Sequence, residues 1–188
     1  RNLAINEARG EFIAFLDCDD IWFSQKLEKQ MELFEKDPEL GLVFSDLFLF
    51  NDKRTICQMY RKFKPPRGKI FEYLLKKYFL VMVSAVVRRS VVLDGLWFDE
   101  RLSLLEDAFL FYKISYSQKV DYVDEPLAKY RIHFQSNTFQ DYSKISAERE
   151  MILERWMSDF PKLKNDFPEG LQVYNNKTLQ LKGLGSWI

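Results

Sequence analysis

Three acidic side chains directly follow a short apolar run in this 188-residue chain: Asp17, Asp19 and Asp20 come after residues 12–16. A run of this length is typical of a strand, and open α/β sheets bind ligands beyond the carboxyl ends of their strands. Carboxylate oxygens grouped in this way suit Mg²⁺ or Mn²⁺. The spacing therefore predicts a metal or phosphate site at residues 17–20. A solvated turn that caps the next helix is the alternative, because Asp is favoured in turns and at N-caps.

The segment after the acidic residues has the periodicity of an amphipathic helix. Leu27, Met31 and Phe34 share one predicted face, Ser24 is the expected N-cap, and Pro38 follows the expected end. The resulting order is strand, acidic turn, helix. This order favours a ligand site over a bare turn, because the strand delivers the carboxylates to the edge of the sheet.

Two other kinds of acidic motif were compared with the same residues. A calcium-binding loop is excluded, because Trp22 stands where the sharp turn of that loop requires glycine. A phosphatase of the haloacid dehalogenase type also places Asp-x-Asp after an apolar strand and uses one Asp as its nucleophile. This phosphatase, with Asp17 as the nucleophile, stays open as an alternative. A sugar- or lipid-binding module without catalysis is the non-enzymatic alternative.

A second acidic pair, Glu106 and Asp107, precedes the apolar segment 108–114. Both carboxylates therefore fall in the first turn of a predicted helix, where the helix dipole stabilises anions. Electrostatic stabilisation of the helix start is one interpretation. The other is that Asp107 faces a crevice and acts as a general base, which a poorly nucleophilic hydroxyl requires.

His133 is the only histidine, and it closes the segment 130–133. A lone histidine at the end of a strand is usually a satisfied polar group, although imidazole is an acceptable ligand for Mn²⁺. Arg131 offers a contact for phosphate, because its guanidinium can donate paired hydrogen bonds to phosphate oxygens.

The remaining pattern alternates between strands and helices, as an α/β fold requires. Strands are predicted at residues 41–50 and 81–87, helices at residues 70–79 and 143–160, and a short helix that Ser90 caps.

Composition adds limits on partners and location. The 28 basic and 28 acidic residues balance, so no net field favours nucleic acid. The cysteines, Cys18 and Cys57, do not suggest a disulfide framework, which favours the cytoplasm. The basic loop 61–69 and the aromatic helix after it could contact an anionic membrane surface, although the same pattern is typical of a solvated loop beside a core helix. We therefore expect a cytoplasmic protein with peripheral contact at the inner face of the membrane.

Residues 1–30 resemble the central segment of the inverting family 2 glycosyltransferases, which have the GT-A fold. In that family an Arg-Asn pair opens the helix before the strand, Asp-x-Asp follows the strand, and Trp and Lys-Leu-Glu-x-Gln lead into the next helix. Four landmarks of the family occur here in the family's order: residues 1–30, 98–100, 106–107 and 125–133. The resemblance covers residues 1–138.

The resemblance implies a fold and a domain organisation. We expect an α/β, partial GT-A (Rossmann-like) three-layer sandwich over residues 1–138, followed by a C-terminal helical extension over residues 139–188. The family's first nucleotide-binding strands would precede Arg1, so the chain is expected to lack them. We expect the sheet edge and apolar surface left uncovered to cause self-association, and the chain by itself to be inactive.

The resemblance also implies a reaction. It is the metal-dependent transfer of a sugar, with inversion, from a nucleotide-diphosphate sugar to an acceptor hydroxyl in glycan or lipid-linked glycan synthesis. A UDP-sugar is the expected donor, Mn²⁺ or Mg²⁺ the expected metal, and polysaccharide biosynthesis the expected context. The expected site residues are Asp107 and Glu106 for catalysis, Asp19, Asp17 and His133 for the metal, and Asp17, Asp19, Arg1 and Arg131 for the donor.

Overall fold

The computed structural model describes residues 1–93, 95, 97–133 and 141–185. In these residues the strands are β1 (Phe12–Ala14), β2 (Ile21–Trp22), β3 (Leu40–Phe50), β4 (Thr55–Gln58), β5 (Val86–Arg88) and β6 (Lys119–Arg131). The α-helices are α1 (Asn2–Glu7), α2 (Lys26–Lys36), α3 (Phe71–Lys76), α4 (Arg89–Leu93), α5 (Glu106–Ser117), α6 (Tyr142–Asp159), α7 (Leu163–Asp166) and α8 (Pro168–Gly185). One 3₁₀ turn spans Met82–Ser84.

The strands form one mixed sheet in the order β1-β5-β3-β6-β2, with β4 paired to β3. Its centre is the long parallel ladder between β3 and β6, and the other pairs are antiparallel. Strands β1 and β2, which precede and follow the acidic residues, therefore lie at opposite ends of this order. The acidic turn spans the sheet between them.

Both faces of β3 are covered, because successive side chains of a strand point to opposite faces. Leu42 and Phe44 lie in the larger apolar cluster, on the side of α3, α5, α6 and α8. Val43 lies in a second cluster together with Phe34 of α2. The result is a sheet between two helical layers, in agreement with the expected α/β sandwich.

The C-terminal helices complete the larger core. Trp156 of α6 packs edge-on against Tyr112 of α5, with the ring centroids 4.7 Å apart, and against Tyr174 of α8 at 4.9 Å. All of these side chains are buried. The expected domain boundary between residues 138 and 139 lies outside the described residues, as do Trp187 and Ile188, so the division into two domains stays a prediction.

The buried face of α2 differs from the expected one. Lys26, Gln30 and Phe34 face the sheet, whereas Leu27 is 43% exposed. Both polar side chains on this face make specific contacts. The Gln30 amide donates to two backbone carbonyls at 3.0 and 2.9 Å, and the Lys26 ammonium lies 4.4 Å from the centre of the Trp22 ring.

Several element boundaries also differ from the sequence prediction. The predicted strand at residues 81–87 is a 3₁₀ turn followed by β5, because the Ser84 hydroxyl and amide turn back to the carbonyl of Val81. Strand β1 ends at Ala14, before the apolar run does. Ser24 is not the cap of α2, whose first flanking residue is Gln25, and Ser90 lies inside α4.

Candidate active site

The acidic turn, residues 17–20, is held in place by Arg131 at the C-terminal end of β6. The backbone amide of Arg131 donates to the Asp20 carboxylate at 2.8 Å, and the Arg131 guanidinium donates to the backbone carbonyl of Asp19 at 2.9 Å. The turn itself closes through a hydrogen bond from the Asp20 amide to the carbonyl of Asp17, at 3.1 Å. Burial, with the nearby charges of Asp19 and Asp17, raises the pKa of Asp20 to about 6 even though the Arg131 amide opposes the shift.

Asp19 and His133 meet on the outer side of this turn. The His133 Nε2 and the Asp19 Oδ2 are 3.3 Å apart, and both side chains are 40% exposed. A carboxylate oxygen and an imidazole nitrogen at this separation can share one divalent cation. Among the described residues, no group of three or more His, Cys, Asp or Glu side chains is close enough to hold a metal without other ligands.

Arg1 joins the two acidic motifs. Its guanidinium lies 3.4 Å from the Asp17 carboxylate and donates a hydrogen bond to Glu106. It also lies over the Phe98 ring, 5.6 Å from the centroid. The acidic turn and the acidic pair at residues 106–107 are therefore adjacent in space.

Asn2 fixes the segment that precedes the second acidic pair. Its amide nitrogen donates to the Phe98 carbonyl and its amide oxygen accepts from the Phe98 amide, each at 3.0 Å. The same nitrogen donates to Glu100 at 3.0 Å. The Arg-Asn pair at residues 1–2 thus holds the landmark at residues 98–100 in place.

Asp107 lies in the wall of a cavity of about 370 Å³. Arg1, Asp17, Asp20 and Glu106 contribute polar groups to the same cavity, and residues 78–83 contribute apolar ones. Burial, followed by the negative charge of Glu106, raises the pKa of Asp107 from its ordinary 3.8 to about 6, against the hydrogen bond from the Ala108 amide at 2.6 Å. The carboxylate is therefore ionised at neutral pH and basic enough to accept a proton.

The expected site residues fall into two groups. Arg1, Asp17, Glu106 and Asp107 line one cavity. Asp19, His133 and Arg131 are not among its lining residues, but Asp19 belongs to the same turn as Asp17 and contacts both His133 and Arg131. The Arg131 guanidinium is occupied by Asp52 and the turn, so in this structure it supports the turn.

Sequence reasoning missed several features of this region. Asp20 belongs to the predicted acidic cluster but was given no role, and its burial and its bond to β6 distinguish it in the structure. Tyr78 lines the cavity, and its hydroxyl is buried with no hydrogen-bond partner among the described residues. Glu148 binds the loop before Asp107 from a distant helix. No local motif marks Tyr78 or Glu148, and only the packing of the helices makes them visible.

The comparisons with known proteins agree on one family. Residues 1–96, just over half of the chain, match the sequence family described as glycosyl transferase family 2. An uncharacterized glycosyltransferase of Methanocaldococcus jannaschii is 35% identical over 142 residues, which cover 73% of this chain and 47% of that protein. Escherichia coli WfgD, named as a UDP-Glc:alpha-D-GlcNAc-diphosphoundecaprenol beta-1,3-glucosyltransferase, is 32% identical over 92 residues, or 49% of this chain and 34% of that protein.

The fold is similar to that of S. aureus TarS. The structure of TarS residues 1–349 matches with a TM-score of 0.70 and 17% identity, over 96% of this chain and 50% of that one. A structure of the same protein in complex with UDP-GlcNAc matches with a TM-score of 0.61 and 15% identity, over 83% of this chain and 45% of that one. This chain spans about half or less of the length of the relatives it matches.

Proposed function

Since the chain belongs to glycosyl transferase family 2, we propose that it carries out the transfer of a sugar from a nucleotide-diphosphate sugar to an acceptor hydroxyl in glycan synthesis. The expected α/β, GT-A fold is confirmed by the likeness to TarS. The observation that carries the proposal is the single cavity in which Asp107, Glu106, Arg1 and Asp17 meet. These residues come from two of the family's landmarks, residues 1–30 and 106–107, which are adjacent only in the folded chain.

Asp107 is the general base in this proposal. It accepts the proton of the acceptor hydroxyl as the oxygen attacks the anomeric carbon, and attack opposite the leaving group inverts the configuration. Glu106 is less suited to the role, because the Arg1 guanidinium already donates a hydrogen bond to its carboxylate. No covalent intermediate is needed, since the acceptor oxygen is itself the nucleophile.

Asp19 and His133 are the residues that would hold the metal. Mg²⁺ and Mn²⁺ are commonly bound by one or two protein side chains, with substrate phosphates and water as the other ligands, so a pair of side chains is sufficient. Asp17 lies close enough in sequence to contribute to the same site or to the donor ribose. When bound, the cation supplies positive charge that stabilises the diphosphate as it leaves.

Two relatives favour a UDP-sugar and a lipid-linked acceptor. The name of WfgD specifies UDP-Glc and a diphosphoundecaprenol-linked acceptor, and TarS has been solved with UDP-GlcNAc. For this chain we propose a UDP-sugar donor, a lipid-linked glycan acceptor and action at the inner face of the membrane. None of the described helices is both long and apolar enough to cross a bilayer.

The basic loop expected to contact the membrane is partly neutralised within the chain. Lys64 pairs with Asp124, and Arg67 pairs with Asp121 and lies over the Tyr122 ring. The cations of residues 61–69 are thus partly engaged with β6. Recognition of the lipid-linked acceptor is therefore assigned to the cavity and not to this loop.

A product assay on the full-length protein tests the function. We expect release of UDP from at least one UDP-sugar when Mn²⁺ and a GlcNAc-diphospholipid acceptor are present, with the sugar recovered on the lipid. Release of inorganic phosphate from aryl phosphates without any sugar transfer would instead support the phosphatase alternative. Sugar or lipid binding without turnover would support the non-catalytic module.

A further inference from the structure

The loop before the proposed base is bound by a single buried carboxylate from a distant helix. Glu148 of α6 is only 4% exposed. Its Oε1 accepts from the Ser103 amide at 2.9 Å and from the Ser103 hydroxyl at 3.0 Å, and its Oε2 accepts from the amides of Leu104 at 3.0 Å and Leu105 at 2.9 Å. These three residues directly precede Glu106 and Asp107.

The four hydrogen bonds use both oxygens of the Glu148 carboxylate. An ionised carboxylate has about four acceptor positions, and bonds to a charged acceptor are about twice as strong as neutral ones. Helix α5 has no side-chain cap of its own, because its N-cap residue is Leu105. Backbone amides in a partly buried loop need acceptors, and here α6 provides them.

Helix α6, which carries Glu148, is held by its neighbour α8. The adjacent residue, Arg149, donates to the Thr178 hydroxyl at 2.9 Å and to the Tyr174 carbonyl at 3.0 Å, and its guanidinium lies 3.7 Å from the Tyr174 ring centroid. These contacts fix the position of α6 along α8. A continuous set of contacts therefore runs from α8 through α6 to the loop at residues 103–105.

We propose that Glu148 is a positioning residue for sugar transfer: it fixes residues 103–105 so that Asp107 keeps a productive position in the cavity. The proposal rests on the proposed function of Asp107. Glu148 is absent from the lining of the cavity, whereas Ser103, Leu104 and Leu105 belong to it, so Glu148 acts through the loop and not on the substrate. It gives the C-terminal helices a role in the reaction.

Glu148→Gln tests this with little change of shape. The amide group replaces one acceptor oxygen with a donor, so in either orientation at least one backbone N–H of the loop loses its acceptor and faces another N–H donor. Displacement of a catalytic group by about 1 Å can cost about 10²-fold, so we expect kcat of the full-length protein to fall about 10- to 100-fold. The KM for the donor should stay within about threefold, since none of the four hydrogen bonds involves a residue expected to bind the donor.

Glu150→Gln is the matched control. Glu150 lies on the same helix, is exposed and pairs with Lys182 at 2.9 Å, so its loss removes one charge from α6 without touching the loop. Its kcat should equal that of the wild type. Glu148→Asp keeps the charge but shortens the reach by one methylene, and its kcat should lie between the wild type and Glu148→Gln. If Glu148→Gln or Glu148→Asp retains wild-type kcat, the proposal is wrong.

Hydrogen exchange separates this inference from the proposed function. The amides of residues 103–105 should exchange faster in Glu148→Gln, or in Glu148→Asp if the first variant does not fold, while exchange in the rest of α5 and α6 is unchanged. This measurement needs no substrate. If local exchange is faster but the protein transfers no sugar, the proposed function is wrong and the binding of the loop by Glu148 is supported. If exchange is unchanged, Glu148 does not fix the loop.

Discussion

Two adjacent carboxylates in the cavity have different environments. Arg1 donates to Glu106, whereas the pKa of Asp107 is raised to about 6. A carboxyl group whose pKa is raised towards neutrality by burial is typical of sites that move protons. At the scale of single residues, this difference assigns the base to Asp107 and leaves Glu106 to hold Arg1 across the cavity, beside Asp17.

Asp107→Asn is the direct test of the base. The amide keeps the shape and can still accept from the Ala108 amide, but it cannot take a proton. Transfer by the full-length protein should fall about 10²- to 10⁴-fold while the affinity for UDP is unchanged. Glu154→Gln, an exposed change on α6, is the control. Transfer that survives within about threefold would mean that Asp107 only stabilises the helix start.

The raised pKa of Asp107 also predicts a pH-dependent change in stability. The folded chain binds this proton more tightly than the unfolded chain, so the stabilisation is fully present below the ordinary pKa of 3.8 and is lost as the pH rises through about 6. Asp107→Asn should therefore raise the free energy of unfolding more at about pH 8 than at about pH 4. Denaturant titrations of both proteins measure this, and an equal effect at the two pH values would contradict it.

Asp19→Ala tests the metal-binding pair. The variant should lose the part of the UDP affinity that depends on Mn²⁺, because the remaining imidazole of His133 and the soft thiol of Cys18 do not replace a hard oxygen ligand. Calorimetric titration with UDP, with and without Mn²⁺, gives the two affinities. Cys18→Ser, a change at the exposed residue before Asp19, should keep the metal dependence. If Asp19→Ala retains the Mn²⁺ dependence of UDP affinity, Asp19 is not a ligand of the metal.

At the scale of elements, α2 carries a cost that the sequence pattern did not indicate. The Lys26 ammonium is fully buried and has no hydrogen-bond partner among the described residues, and burial lowers its pKa from 10.5 to about 7. The unfolded chain therefore binds more protons than the folded chain between these values. Stability should rise with pH across that range.

Lys26→Met should remove this cost. Met has a similar length and no charge, so we expect the free energy of unfolding to increase by about 1–3 kcal/mol at about pH 6 and by less at about pH 10. Lys36→Met, on the exposed end of the same helix, should change little. Thermal and denaturant unfolding at both pH values measure the difference. A destabilised Lys26→Met at about pH 6 would show that the contact with Trp22 outweighs desolvation.

The sequence singles out the acidic residues as candidates but says less about their surroundings. Asp17, Asp19 and Asp107 belong to local motifs, so their types and spacing are sufficient to select them. The burial of Lys26 cannot be predicted in this way, because a helical periodicity ranks lysine as exposed, whereas here the side chain packs against Trp22. Glu148 acts on a loop 45 residues away from it in sequence, and no local pattern contains that relation.

At the scale of the whole molecule, the described residues leave strand edges and some apolar surface open. Strand β1 pairs only with β5 among the described residues, and Leu3 and Leu16 on either side of it are 75% and 50% exposed. Open edges and apolar patches recruit other chains. The chain also spans about half or less of the length of its relatives.

We therefore predict that the 188-residue chain by itself self-associates and does not transfer sugar. Light scattering should show species larger than the monomer, and Leu3→Lys should shift them towards the monomer because it adds charge to the open surface. Donor hydrolysis is measured on the chain beside its full-length form. A monomeric chain with transfer activity would contradict both parts of the prediction.

The pairing of the first acidic motif with the last strand determines when the site can form during synthesis. Asp20 binds the amide of a residue 111 positions later in the chain, and β2 pairs only with β6 among the described residues. At roughly 5–20 residues per second, a ribosome needs about 5–20 s to add the intervening length. During that interval the nascent carboxylates have no partner strand. The first acidic motif is thus translated early but reaches its folded contacts only after β6 has been synthesised.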